Sequence, residues 1–185
     1  MATAIHEHGY WLSQDGHYYD RSLADALVAF FRGQTVVDFG CGLGQYVNEL
    51  RRSGIDASGF DGNPDTRRLT GGTCHVLDLA VPMELGRSWD WVLCLETGEH
   101  IPPEYEAPFV ANLDRHNTRG IVLSWAPPGQ VGQGHVNCQP LAYVCDLFTG
   151  LGYTVNDAQS LALRKASFLP WFQQNLLVLH RRQPA

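Results

Sequence analysis

Lysine is nearly missing from this chain: Lys165 stands alone against twelve arginines, which we read as a compositional bias. Basic residues of both kinds number 13 against 19 acidic ones, for a net charge of −6 and a pI near 5.7. A bulk electrostatic grip on phosphate needs a basic face, so nucleic acid is not an expected partner. The pairs Arg51–Arg52, Arg67–Arg68 and Arg181–Arg182 are of the size that decorates a solvated surface. Long apolar runs are absent too, and the N-terminus has no signal-peptide core, which speaks against a membrane and for a cytoplasmic protein. No two cysteines have CxxC spacing. The five at 41, 74, 94, 138 and 145 suit small buried thiols in a reducing compartment better than disulfides. Repeats, low-complexity tracts and linkers are lacking. One domain over 1–185 is expected, with an arm or lid at 1–20 and a core over 35–182.

What is present is organised around Thr35 to Tyr46, TVVDFGCGLGQY. Thr35 to Phe39 is a short β-branched and aromatic run of the kind that forms a buried parallel strand. Gly40, Gly42 and Gly44 make a turn too bare for ordinary side chains, and Gln45 to Arg52 has helical apolar spacing. A strand, a glycine turn and a helix N-terminus bring free backbone N–H groups close to a ligand. A second strand, Ile55 to Phe60, ends on Asp61. That is about 20 residues on, where a nucleotide-binding fold wants its ribose carboxylate.

DFGCGLG resembles motif I of class I S-adenosylmethionine-dependent methyltransferases, and GFDGNP resembles the acidic end of their second strand. The likeness runs on through CHVLDLA, DWVLCLETGEHIP and GIVLSW, and so covers most of the chain from Thr35 onward. It implies a Rossmann-like α/β fold: a seven-stranded, mostly parallel sheet flanked by helices, with a C-terminal antiparallel hairpin. It also implies that S-adenosylmethionine is the cofactor. Asp38 would help hold the methionine ammonium, Asp61 the ribose, and Asp78 with the Leu79 N–H the adenine.

In chain order, Asp20 or Ser22 is placed to cap a helix from Leu23 to Phe31. A helical turn is expected at Thr66 to Leu69 and a third strand at Cys74 to Leu79. The fourth strand runs from Trp89 to Leu95, and a helix follows over Pro108 to Asp114. The fifth strand is Gly120 to Trp125; the Gly- and Pro-rich stretch after it must be a loop. A helix opens at Gln139 or Pro140 and reaches Leu151. Tyr153 to Arg164 and Trp171 to Arg181 then look like two strands in an antiparallel pair. Ligands of open α/β sheets bind outside the carboxyl ends of the strands, where every motif named here falls.

Methyl transfer is an in-line displacement from a sulfonium, so the protein has to align a nucleophile and take its proton. Glu96, His100 and His135 are the candidate bases, although a loop hydrogen bond accounts for His135 equally well. Glu96, Glu99 and His100 form E-x-x-E-H, which resembles metal-assisted ubiquinone-pathway O-methyltransferases and enzymes that methylate the terminal 2′-hydroxyl of small RNAs. With His135, these residues are a candidate set for one divalent metal ion. The acidic charge disfavours the RNA version and leaves a small-molecule or small-peptide acceptor. Two rival classes are a cofactor-binding subunit without catalysis and a nicotinamide oxidoreductase. The second is weak, because Lys165 has Leu161 four positions before it where a Tyr-x-x-x-Lys pair needs tyrosine. A homodimer is left open.

Overall fold

The computed structural model describes residues 5–12 and 16–182, so the lid expected at 1–20 lies outside the described residues at 1–4 and 13–15. Seven strands form one sheet: β1 (Thr35–Phe39), β2 (Asp56–Asp61), β3 (His75–Val76), β4 (Trp89–Cys94), β5 (Asn117–Leu123), β6 (Tyr153–Val155) and β7 (Leu177–Arg181). Their order is β3-β2-β1-β4-β5-β7-β6. The first five are parallel to one another, while β7 runs antiparallel to both β5 and β6. The fold expected from the sequence is therefore present.

The helices are α1 (Arg21–Phe30), α2 (Gln45–Arg52), α3 (Thr66–Leu69), α4 (Glu106–Arg115), α5 (Leu141–Gly150), α6 (Asp157–Ala166) and α7 (Pro170–Asn175). Because side chains alternate across a strand, the central strands feed two cores. Val36, Trp91, Leu93, Val122 and Val178 pack with Leu23 and Leu27 of α1 and Val47 and Leu50 of α2. Val37, Phe39, Val92, Ile121 and Leu123 pack with Phe109 and Leu113 of α4 and Phe148 of α5. Asp20 caps α1 by accepting from the Leu23 N–H at 2.9 Å. Its other oxygen accepts from the Ser167 hydroxyl and the Phe168 N–H, fastening the end of the arm to the segment before α7. Pro108 is tolerated in α4 because it lies in the first turn, where an N–H has no intrahelical partner.

Three expected strands need correction. The strand read over Tyr153 to Arg164 stops at Val155, because Asn156 accepts from the Gln159 N–H and so caps α6, rich in good helix formers. Likewise Trp171 to Arg181 is a strand only from Leu177, since Pro170 opens α7. The antiparallel pair survives in shortened form. The third strand shrinks from Cys74–Leu79 to His75–Val76. Asp78 ends it by accepting from the Ala80 N–H at 2.9 Å, a side-chain turn two residues on.

Candidate active site

The carboxyl ends of β1, β2 and β4 open into a cavity of about 560 Å³. At its floor the Gly40 and Cys41 N–H groups both donate to the Phe60 carbonyl, at 2.8 and 3.1 Å, which ties the glycine turn to β2. Gly40 has a φ of +83°, and a Cβ there would lie 2.2 Å from Thr97 Oγ1. At Gly42, with a φ of +51°, a Cβ would meet the His17 ring at 2.7 Å. Neither position has room for a side chain. Gly44, also left-handed, is the N-cap of α2.

Asp61 closes β2 with both carboxylate oxygens fixed. Oδ2 accepts from the Gly42 N–H and Oδ1 from the Asn63 N–H, each at 2.9 Å. Asp38, 3% exposed, lines the same cavity. Burial, then neighbouring Cys74 and Asp61, hold its carboxyl well above the usual range. Leu79 is on the cavity wall, whereas Asp78 is not among the lining residues. Asp78 pairs with His8 of the N-terminal arm, Nδ1 to Oδ2 at 2.5 Å.

On the far side, Glu96 follows β4 with a φ of +48°, the one non-glycine residue with positive φ among those described. Its N–H donates to Ser124 Oγ at 2.8 Å. Its Oε2 accepts from Gln130 Nε2 at 2.5 Å and its Oε1 from Asn175 Nδ2 at 2.8 Å. Glu99 is fully buried, and neither of its oxygens has a hydrogen-bond partner among the described residues. Burial and then Glu96 raise its carboxyl well above the usual range. The His100 and His135 rings meet edge to face at 5.0 Å. His100 Nδ1 lies 3.1 Å from the Gly134 carbonyl and His135 Nδ1 3.1 Å from that of Gln130. Trp11 Nε1 also approaches His100 Nδ1, at 3.4 Å, but the shorter contacts are to carbonyls, which only accept, so each Nδ1 is assigned the proton and each Nε2 a lone pair. Burial, then His135, push His100 down to about 4, so it is neutral at physiological pH. Glu99, His100 and His135 each offer one ligand atom, and these lie within 4.8 Å of one another. Glu96 is outside that group.

A family model described as a methyltransferase domain matches residues 11–115. The chain belongs to that family. Solved structures agree on the fold. Magnesium protoporphyrin IX methyltransferase from Synechocystis, with S-adenosylmethionine bound, is 19% identical, with a TM-score of 0.67 over 91% of this chain and 88% of that one. The sugar N-methyltransferase KedS8 from Streptoalloteichus gives 17% identity and a TM-score of 0.68, over 88% of each chain. A TehB-like S-adenosylmethionine-dependent methyltransferase from Corynebacterium glutamicum gives 18% and 0.63, over 91% and 90%. No curated protein matches the chain. Its fold is that of S-adenosylmethionine-dependent methyltransferases.

Several residues of the methyltransferase's cavity were not singled out by the sequence reading. Thr97, Gln130, Trp171 and Phe172 line it, and Asn175 holds Glu96 from behind. Gln130 was discoverable, as the first of the amides in the loop behind β5. Asn175 was not, because it falls in a stretch read as strand. The arm's crowding of rings was the signal for Tyr10, Trp11 and His17, which line the cavity.

Proposed function

We propose that this methyltransferase moves the methyl group of S-adenosylmethionine to a heteroatom of a small-molecule acceptor bound in the same cavity. The observation that carries this reading is the setting of Asp61. An ionised carboxylate has about four lone-pair positions. Backbone N–H groups take one on each oxygen, leaving one each for two ribose hydroxyls. Gly40, Gly42 and Gly44 let bare backbone approach the cofactor, and a cation beside Asp38 would offset the cost of its burial. Leu79 is assigned to the adenine, and Asp78 would join it on release from His8. When bound, the cofactor supplies a sulfonium methyl that needs no further activation. Glu96, held by two amides, orients the acceptor, and the bare Nε2 of His100 or His135 takes its proton. Structural neighbours named for a porphyrin and a sugar substrate support a small-molecule acceptor. The test is calorimetric titration with S-adenosylmethionine, then a mass-spectrometric product search after incubation with labelled cofactor and cell extract. Failure to bind the cofactor would refute the reading.

A second reading has its own observation, the unpartnered buried oxygens of Glu99. One carboxylate and two imidazoles form a donor set suited to Mn, Fe or Zn. Glu99, His100 and His135 would hold such an ion, and it would lower the pKa of an acceptor hydroxyl. Elemental analysis of the purified protein, with chelation and metal re-addition during assay, decides between metal and base.

A further inference from the structure

Every lysine and arginine of the chain stays away from the cavity. All 13 lie among the described residues, and none is among those lining it. The acidic groups that line it are Asp38, Asp61 and Glu96, with Glu99 buried beside His100 and His135. Among the histidines that line it, His8 is engaged by Asp78, and His100 and His135 turn Nδ1 to backbone carbonyls. An anion entering this space would lose its hydration, meet carboxylates and find no fixed cation.

The mouth has the opposite character. Val131 is 98% exposed and Tyr18 69% exposed, and both line the cavity. The Tyr18 ring stands edge-on to Trp171 at 5.4 Å, and Trp11 stands edge-on to His100 at the same distance. Flat rings at the entrance and beside the candidate base offer an apolar slot rather than a polar one.

Resting on the methyl-transfer reading above, we propose that the acceptor is a molecule with a flat apolar body and a hydroxyl or amine as its reacting group. It carries no phosphate, sulfate or carboxylate near that group. Tyr18, Trp171, Trp11 and Val131 grip the body, while Glu96, His100 and His135 face the heteroatom. The heteroatom forms its bond to the methyl carbon as the carbon–sulfur bond breaks, and that electron pair stays on sulfur. The acceptor's proton passes to an imidazole Nε2. Charge exclusion is thus a specificity device, acting by what the wall withholds.

The test uses the full chain saturated with S-adenosylhomocysteine, titrated by calorimetry with 1-naphthol, 1-naphthylamine and 1-naphthyl phosphate. The first two are expected to bind at least about tenfold more tightly than the phosphate. Tyr18→Ala should weaken both neutral probes, and Val131→Arg should narrow the gap by admitting the phosphate. Equal or tighter binding of the phosphate overturns the proposal, as does absence of binding by both neutral probes to a protein that holds S-adenosylhomocysteine. If S-adenosylhomocysteine itself does not bind, the methyl-transfer reading fails first and this one falls with it.

Discussion

The two ends of the cavity are built by different rules. At the β1–β2 end, the glycine turn and Asp61 are joined by backbone N–H donors, and both Asp61 oxygens are occupied. At the β4–β5 end, Glu96 sits at positive φ, Glu99 is buried with its oxygens unpartnered, and two imidazoles crowd each other. Strain and unsatisfied polar groups cost stability and persist where the surrounding structure over-determines them, as at functional sites. The contrast teaches a division of labour. On the proposed function, one end is a satisfied frame for the cofactor, and the other, costly to fold, is where the acceptor is handled.

The largest expected effect separates the two ends kinetically. His135→Ala should lower kcat by about a hundredfold, the scale of a lost general base. Cofactor affinity measured by calorimetry should stay within about twofold, because the altered side chain does not touch the glycine turn. Comparable losses in both quantities would erase the distinction.

Next comes Glu99, through stability. Burial raises its folded-state pKa above the ordinary glutamate value of 4.5, so the folded protein keeps a proton that the unfolded chain releases. Stability therefore falls as pH rises above 4.5, by up to about 1.4 kcal/mol per pH unit, until the folded group also ionises. Glu99→Gln should flatten that slope in urea titrations of ligand-free protein. An unchanged slope would mean that Glu99 is not the costly group.

The smallest effect has the reverse sign. His100 is depressed from 6.5 to about 4, so between those values the unfolded chain binds a proton that the folded one does not. Its contribution is present above pH 6.5 and is lost as pH falls toward 4. His100→Gln should remove this acid-side loss, read from the midpoint of thermal unfolding at pH 7 and pH 5.

The same contrast explains what could be read in the sequence. Strand β1, the turn and α2 are local, and their boundaries follow from β-branched residues, glycines and helical spacing. Asp61 was found by its distance along the chain from the turn. The β4–β5 end draws on remote partners. Asn175 reaches Glu96 across 79 residues, and the Gly134 carbonyl fixes the His100 tautomer across 34. No local pattern encodes such contacts. The E-x-x-E-H run suggested one set of four ligands, yet only three come together, because Glu96 is drawn away by Gln130 and Asn175. Asp78 likewise lost its expected strand to a turn that its own side chain makes with the Ala80 N–H.

The account stands most directly on Asp61, and the decisive measurement is calorimetric titration of S-adenosylmethionine into wild type and Asp61→Ala. Hydrogen bonds to a charged acceptor contribute roughly 1.5–3 kcal/mol each, so the variant should bind at least about tenfold more weakly. Its circular dichroism should match wild type. Unchanged affinity in a folded Asp61→Ala protein would contradict the assignment of this carboxylate to the cofactor.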